Sequence, residues 1–292
     1  MPAISMQRVL SPTALIGLVF VVFSLVFAGA ARADFNRIYV FGDSYSDTGA
    51  GHVEGNGPTA VWYLARAMGI ALQAPSLRQR QFPADASLNF AVSAAATGHH
   101  EGFPLPGDAL LAFGIGNQVD LFVQEVQAGA LRFDAARTLF FYAGGLNDQA
   151  TPEAQVRDNV LASMEQLYVA GARHIRIARL PERIPFYSAV GRRLNPVLAG
   201  VPDTMRARHP DLDIRLGQWG AHFDAVLQRP RDYGLQDTVS LCAGQRLWKW
   251  EMRPCDTPDR YFYYRFGHPS RATQEIVGGL LHEELLREQR PR

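Results

Sequence analysis

Six consecutive residues, Thr138-Leu139-Phe140-Phe141-Tyr142-Ala143, carry almost no polar surface, and two glycines follow them. A strand with one wet face alternates apolar and polar side chains, whereas an uninterrupted apolar run is buried on both faces. Such a run belongs inside a parallel sheet with helices on either side. Further strands are expected at 37–41, 88–92, 174–180 and 213–216. Helical spacing lies between them. It covers 58–68, where Val61, Leu64, Ala65 and Met68 share a face and Gly69 is a stop. It recurs at 116–127, at 219–227, and from Thr151-Pro152-Glu153 to about Ala170, with Thr151 as the expected cap. Ser270 is expected to cap a terminal helix over 270–287. Strands alternating with helices predict an α/β fold, a three-layer α/β/α sandwich around a mainly parallel central sheet. The stretch 180–210 is rich in Pro and Arg, and it reads as a surface excursion near the site.

Composition removes several classes of function. Lys plus Arg total 29 against 28 for Asp plus Glu, a net charge of +1, so the chain lacks the basic footprint of a nucleic-acid partner. Two cysteines are too few for a disulfide-dense scaffold or a four-cysteine zinc site. His99-His100-Glu101 lacks the i, i+4 convergence of a helical metal pair, and the glycines of 49–57 lack a phosphate-loop lysine. Neither a metal nor a cofactor is expected. Oligomeric state is left open.

The N-terminus has the form of an export signal. Arg8 precedes an apolar run over 14–27, and Ala31-Arg32-Ala33 fits a small-x-small cleavage site. Residues 1–33 are therefore expected to be a cleaved signal peptide, with 34–292 as one mature domain in the periplasm or secreted. The competing reading is an uncleaved anchor, for which the run is short. In an oxidising compartment Cys242 and Cys255 suit a disulfide; the alternative is a pair of buried thiols.

Three segments carry candidate chemistry. Gly42-Asp43-Ser44 directly follows the first strand, where a tight turn can expose the Ser44 hydroxyl beside backbone N–H donors. Gly145-Leu146-Asn147-Asp148 follows another strand, and Asn147 can offer its amide to a developing negative charge. His268 precedes the terminal helix and can serve as a base for serine. Each segment alone also reads as an ordinary turn or a surface histidine.

Taken in order, Gly42-Asp43-Ser44, Gly145-x-Asn147-Asp148 and His268-Pro269-Ser270 resemble the GDSL, or SGNH, hydrolases. Asn56-Gly57-Pro58 with Val61-Trp62, and Asn89-Phe90-Ala91-Val92, extend the likeness. The approach from Cys255 through Pro258-Asp259-Arg260-Tyr261-Phe262 resembles the plant-type and bacterial lipase-like branch. The resemblance spans about 36–288. It implies ester hydrolysis through an acyl-enzyme on Ser44, with His268 as base. Ser44, Ala94 and Asn147 would form the oxyanion hole. The partner would be a small-molecule or lipid ester, with possible contact to a lipid surface.

Two positions depart from the family. Ala94 stands where a glycine is usual; it keeps the N–H but disfavours a positive φ. Arg265 stands three residues before His268, where the family carries aspartate. Arginine has no acceptor for a ring N–H, and its charge opposes the imidazolium. A backbone carbonyl, Asp256 or Asp259 could orient His268 instead. The alternatives are a catalytically impaired member that binds acylated lipid or glycan, and an acyltransferase using the same acyl-enzyme. The aromatics Trp248, Trp250, Tyr261, Phe262, Tyr263 and Tyr264 suit packing more than a substrate site.

Overall fold

The computed structural model describes residues 35–244 and 253–290. The expected leader, and Trp248 and Trp250, lie outside them. In chain order the elements are β1 (Arg37–Gly42), α1 (Ala60–Ala67), β2 (Leu72–Gln73), β3 (Ser87–Asn89), β4 (Glu101–Pro104) and β5 (Leu110–Phe113). Then come α2 (Ile115–Gln127), β6 (Thr138–Ala143), α3 (Glu153–Val169), β7 (His174–Ala178), α4 (Ser188–Arg208) and β8 (Asp213–Gly217). The C-terminal part holds α5 (Trp219–Gln228), β9 (Asp237–Leu241), β10 (Tyr261–Arg265), β11 (His268–Pro269) and α6 (Arg271–Glu288).

The central sheet has six strands in the order β2-β3-β1-β6-β7-β8, and every pairing is parallel. All six residues of β6 are buried, as a strand with two covered faces requires. Tyr39 and Phe41, two apart on β1, both meet Phe122 of α2, at ring-centroid distances of 4.8 and 5.6 Å. Helices α2, α3 and α4 pack in sequence with one another, and α6 packs against α1 and α5, which makes the two outer layers. The chain leaves β1 for β2 and β3 on one side and later places β6 on the other. That reversal opens a crevice at the carboxyl ends of β3, β1 and β6.

Two expectations are corrected. The stretch 180–210 is mostly a 21-residue helix, α4, with Pro196 and Pro202 inside it. Each proline forfeits one helical hydrogen bond. Burial of Val190, Leu194, Leu198, Val201 and Met205, at spacings of four, four, three and four, offsets that loss. The N-cap of α3 is Pro152, not Thr151: the Pro152 carbonyl accepts from Val156 N at 3.0 Å, so the helix begins one residue late for a threonine cap. Ser270 caps α6 as expected, accepting from Thr273 N at 3.3 Å.

Strands β9, β10 and β11 form a second sheet, in the order β11-β10-β9. Cys242, just after β9, is disulfide-bonded to Cys255. Within β10, Phe262 and Tyr263 are buried, which agrees with a packing role for the tyrosine-rich run.

Candidate active site

Gly42 ends β1 under the grip of a buried side chain. Gln118 of α2 accepts from Gly42 N at 2.9 Å and donates to its carbonyl at 2.9 Å. The chain then closes a tight turn in which Ser46 N and Asp47 N both reach the Asp43 carbonyl at 2.9 Å. The turn presents Ser44 at the rim of the sheet. Asp43 is fully buried and accepts from Tyr45 N at 3.1 Å; burial pushes its carboxyl up to about 7.

Asp47 ties this turn to the next strand end. One carboxylate oxygen accepts from Gly49 N (2.8 Å) and Gly51 N (3.1 Å), the other from Ser93 N (2.8 Å). Ala94 follows immediately with φ +64°, the left-handed conformation that an L side chain disfavours by about 1–2 kcal/mol. The strain that the alanine-for-glycine exchange implies is therefore present. Among the described residues, no hydrogen bond uses the N–H of Ser44 or of Ala94. Asn147, just past β6, donates one amide hydrogen to the Ala95 carbonyl at 2.9 Å, which orients the group and leaves its second hydrogen available. Asp148 is structural: it accepts from the N–H and the hydroxyl of Thr97, each at 2.9 Å.

His268 comes from the second sheet. Its Nε2 lies 2.8 Å from Ser44 Oγ, and its Nδ1 lies 2.8 Å from the Phe266 carbonyl. A carbonyl can only accept, so Nδ1 carries the proton and Nε2 faces Ser44 with a free lone pair. Of the three orienting groups considered for His268, the backbone carbonyl takes the place. Asp256 is exposed, and Asp259 is paired with Arg271. The turn is braced by Tyr45, whose hydroxyl donates to the Gly267 carbonyl and whose ring lies 5.5 Å from the imidazole. Gly267 sits at φ +65°, where glycine is at ease.

Arg265 does not contact the imidazole as an aspartate would. It is buried, and its guanidinium lies 3.6 Å from Glu54, a residue only 2% exposed. Burial, opposed by the Phe266 hydrogen bond and reinforced by the His52 and Arg265 charges, lowers the His268 pKa to about 4. The Tyr187 hydroxyl also interacts with Ser44.

An apolar groove of about 420 Å³ borders the histidine turn. Ile184, Phe186, Val239, Leu241, Tyr263 and Phe266 line it, and among the described residues no charged side chain does. Phe186 and Val239 are 44% and 85% exposed there. Elsewhere, His99 pairs with Asp120 and Glu101 accepts from Asn117, and among the described residues no acidic, histidine or cysteine cluster could hold a metal.

Sequence reasoning singled out Ser44, Ala94, Asn147 and His268; Ser44 and His268 are in contact, and Asn147 bonds to the Ala95 carbonyl, next to Ala94. The same reasoning missed Gln118, Glu54 and Tyr187. Gln118 had a signal, a polar residue on the apolar face of a helix.

A parallel α/β sandwich with a serine and a histidine in contact at its strand ends has the architecture of an SGNH hydrolase. The chain belongs to the GDSL-like lipase/acylhydrolase family, whose profile matches residues 38–281. No curated protein matches it significantly. Solved structures that resemble it include a Bacillus subtilis protein (14% identity, TM-score 0.43), of which the match covers 57%, against 87% of this chain. A lipolytic G-D-S-L family member from Veillonella parvula matches at 13% identity and TM-score 0.42, over 86% of this chain and 96% of that one. A catalytic mutant of an acetylxylan esterase from Geobacillus stearothermophilus matches at 13% identity and TM-score 0.42, over 88% and 97%.

Proposed function

We propose that this chain is an exported serine ester hydrolase working through a Ser44–His268 dyad. The observation that carries the reading is the 2.8 Å contact between Ser44 Oγ and His268 Nε2, with Nδ1 held by a carbonyl. Ser44 attacks the acyl carbonyl while Nε2 takes its proton. The N–H groups of Ser44 and Ala94 and the free amide hydrogen of Asn147 stabilise the oxyanion. His268 returns the proton to the departing alcohol, and water then resolves the acyl-enzyme.

The missing aspartate removes charge but not tautomer. In serine proteases an Asp-to-Asn change costs about 10⁴-fold in kcat because the imidazole is held in the wrong tautomer. The Phe266 carbonyl holds the productive one here. The neighbouring groove supports an ester with a hydrocarbon portion, and Phe186 and Val239 at its mouth suit contact with a lipid surface. Export is supported by the leader pattern and the Cys242–Cys255 bond. Among the described residues no helix is long and apolar enough to cross a membrane.

The test is turnover of p-nitrophenyl esters by residues 34–292, wild type against Ser44→Ala. Turnover in the wild type and none in the variant is expected. Equal turnover in both would overturn the reading.

A further inference from the structure

A short strap joins the two halves of the site. The His52 carbonyl accepts from the Ser93 hydroxyl, next to Ala94. The Glu54 carboxylate lies 3.6 Å from Arg265 and 3.6 Å from His52. The Asn56 side chain accepts from Arg271 N at 2.6 Å, just beyond Ser270. The strap thus touches the oxyanion side at one end and the histidine side at the other. Arg265 is also the backbone partner of His268 across the β10–β11 bridge, and Phe266 and Gly267 form the turn between them.

From this geometry we propose that Glu54 is a positioning residue for the Ser44–His268 reaction, anchoring Arg265 and offsetting its charge beside the base. A cation buried at this position without an anion would carry a large desolvation cost and repel the imidazolium. With Glu54 against it, the arginine becomes part of a nearly neutral pair. Its backbone then holds the turn that aims the Phe266 carbonyl at Nδ1. The pair cancels the charge of Arg265 but does not replace the negative charge that an aspartate would place against the ring. The titratable groups around His268 are Arg265 on its own hairpin and His52 and Glu54 on the strap. Asp43 and Tyr45 lie at the end of β1, and Tyr187 precedes α4.

The inference rests on the dyad reading, but its test does not require turnover. The titration of His268 is followed by ring-nitrogen NMR in the wild type, Glu54→Gln and Arg265→Met, together with kcat/KM against pH. Glu54→Gln leaves the guanidinium unopposed, so the His268 pKa and the acid limb fall, by about one unit. The maximal rate falls at least tenfold, with KM little changed. Arg265→Met leaves the carboxylate unopposed, so both rise by a similar amount. Opposite shifts support the proposal. No shift in either variant, or shifts of one sign, overturn it even if the enzyme is active. Should Glu54→Gln fail to fold, Arg265→Met decides: a raised pKa supports the proposal and an unmoved one overturns it. A wild type without turnover on any ester defeats the dyad reading, while the NMR titrations still score the charge pair.

Discussion

The nucleophile side and the base side of this site are built on different principles. Ser44, Ala94 and Asn147 stand at the ends of three adjacent strands of one parallel sheet, and buried polar groups lock them in place. Asp47 alone accepts three backbone N–H groups there. His268 is brought in by a separate small sheet and is held by a carbonyl, a tyrosine and an arginine–glutamate pair. The first half is fixed by backbone geometry, and its one departure from the family, Ala94, is carried as backbone strain. In the second, the Phe266 carbonyl stands behind Nδ1 where the family has an aspartate.

That contrast can be broken in order of effect. Replacing His268 by Ala should lower kcat by about 10³-fold or more, because the serine then lacks a base. Steady-state turnover of a p-nitrophenyl ester measures it, and an undiminished rate would remove the histidine from the mechanism. Asn147→Ala should cost about 10²–10³ in kcat with a smaller change in KM, the signature of an oxyanion donor. An effect confined to KM would make it a ground-state contact.

The pH profile sharpens the base side. Catalysis needs neutral His268, and its pKa is lowered to about 4, so activity should persist as pH falls below 6 and decline only near 4. An acid limb near the ordinary histidine value of about 6.5 would show that Arg265 and burial do not act on the base. The smallest effect belongs to the nucleophile side. Ala94→Gly should relieve the positive φ, partly offset by glycine's greater freedom when unfolded, for a gain of up to about 1 kcal/mol and an unchanged or faster rate. Denaturant melts check it, and destabilisation would mean that the methyl group packs usefully.

What the sequence disclosed follows the same division. β1 and β6 were legible because burial on both faces writes itself as apolar runs, and β7 and β8, which carry Arg176 and Arg215, because strands alternate with helices. Ser44, Asn147 and His268 were legible because each follows a strand or precedes a helix in a recognisable order. The short strands β2 and β4, and β9 with its exposed Val239, carry no such run. α4 was hidden because its two prolines outweighed an apolar spacing that was in plain view. The orienting group of His268 is a main-chain carbonyl, which has no residue identity to read. The Glu54–Arg265 pair joins residues far apart in the chain, and charge pairing at that distance leaves no local pattern.

The proposed dyad would make Ser44 an activated nucleophile despite the missing aspartate. Its most direct test is labelling of the folded protein with a fluorophosphonate, read by intact mass and peptide mapping. One adduct on Ser44 is predicted, absent in Ser44→Ala and much slowed in His268→Ala. A folded wild type that takes up no label would contradict the account and leave a cleft that binds without catalysing.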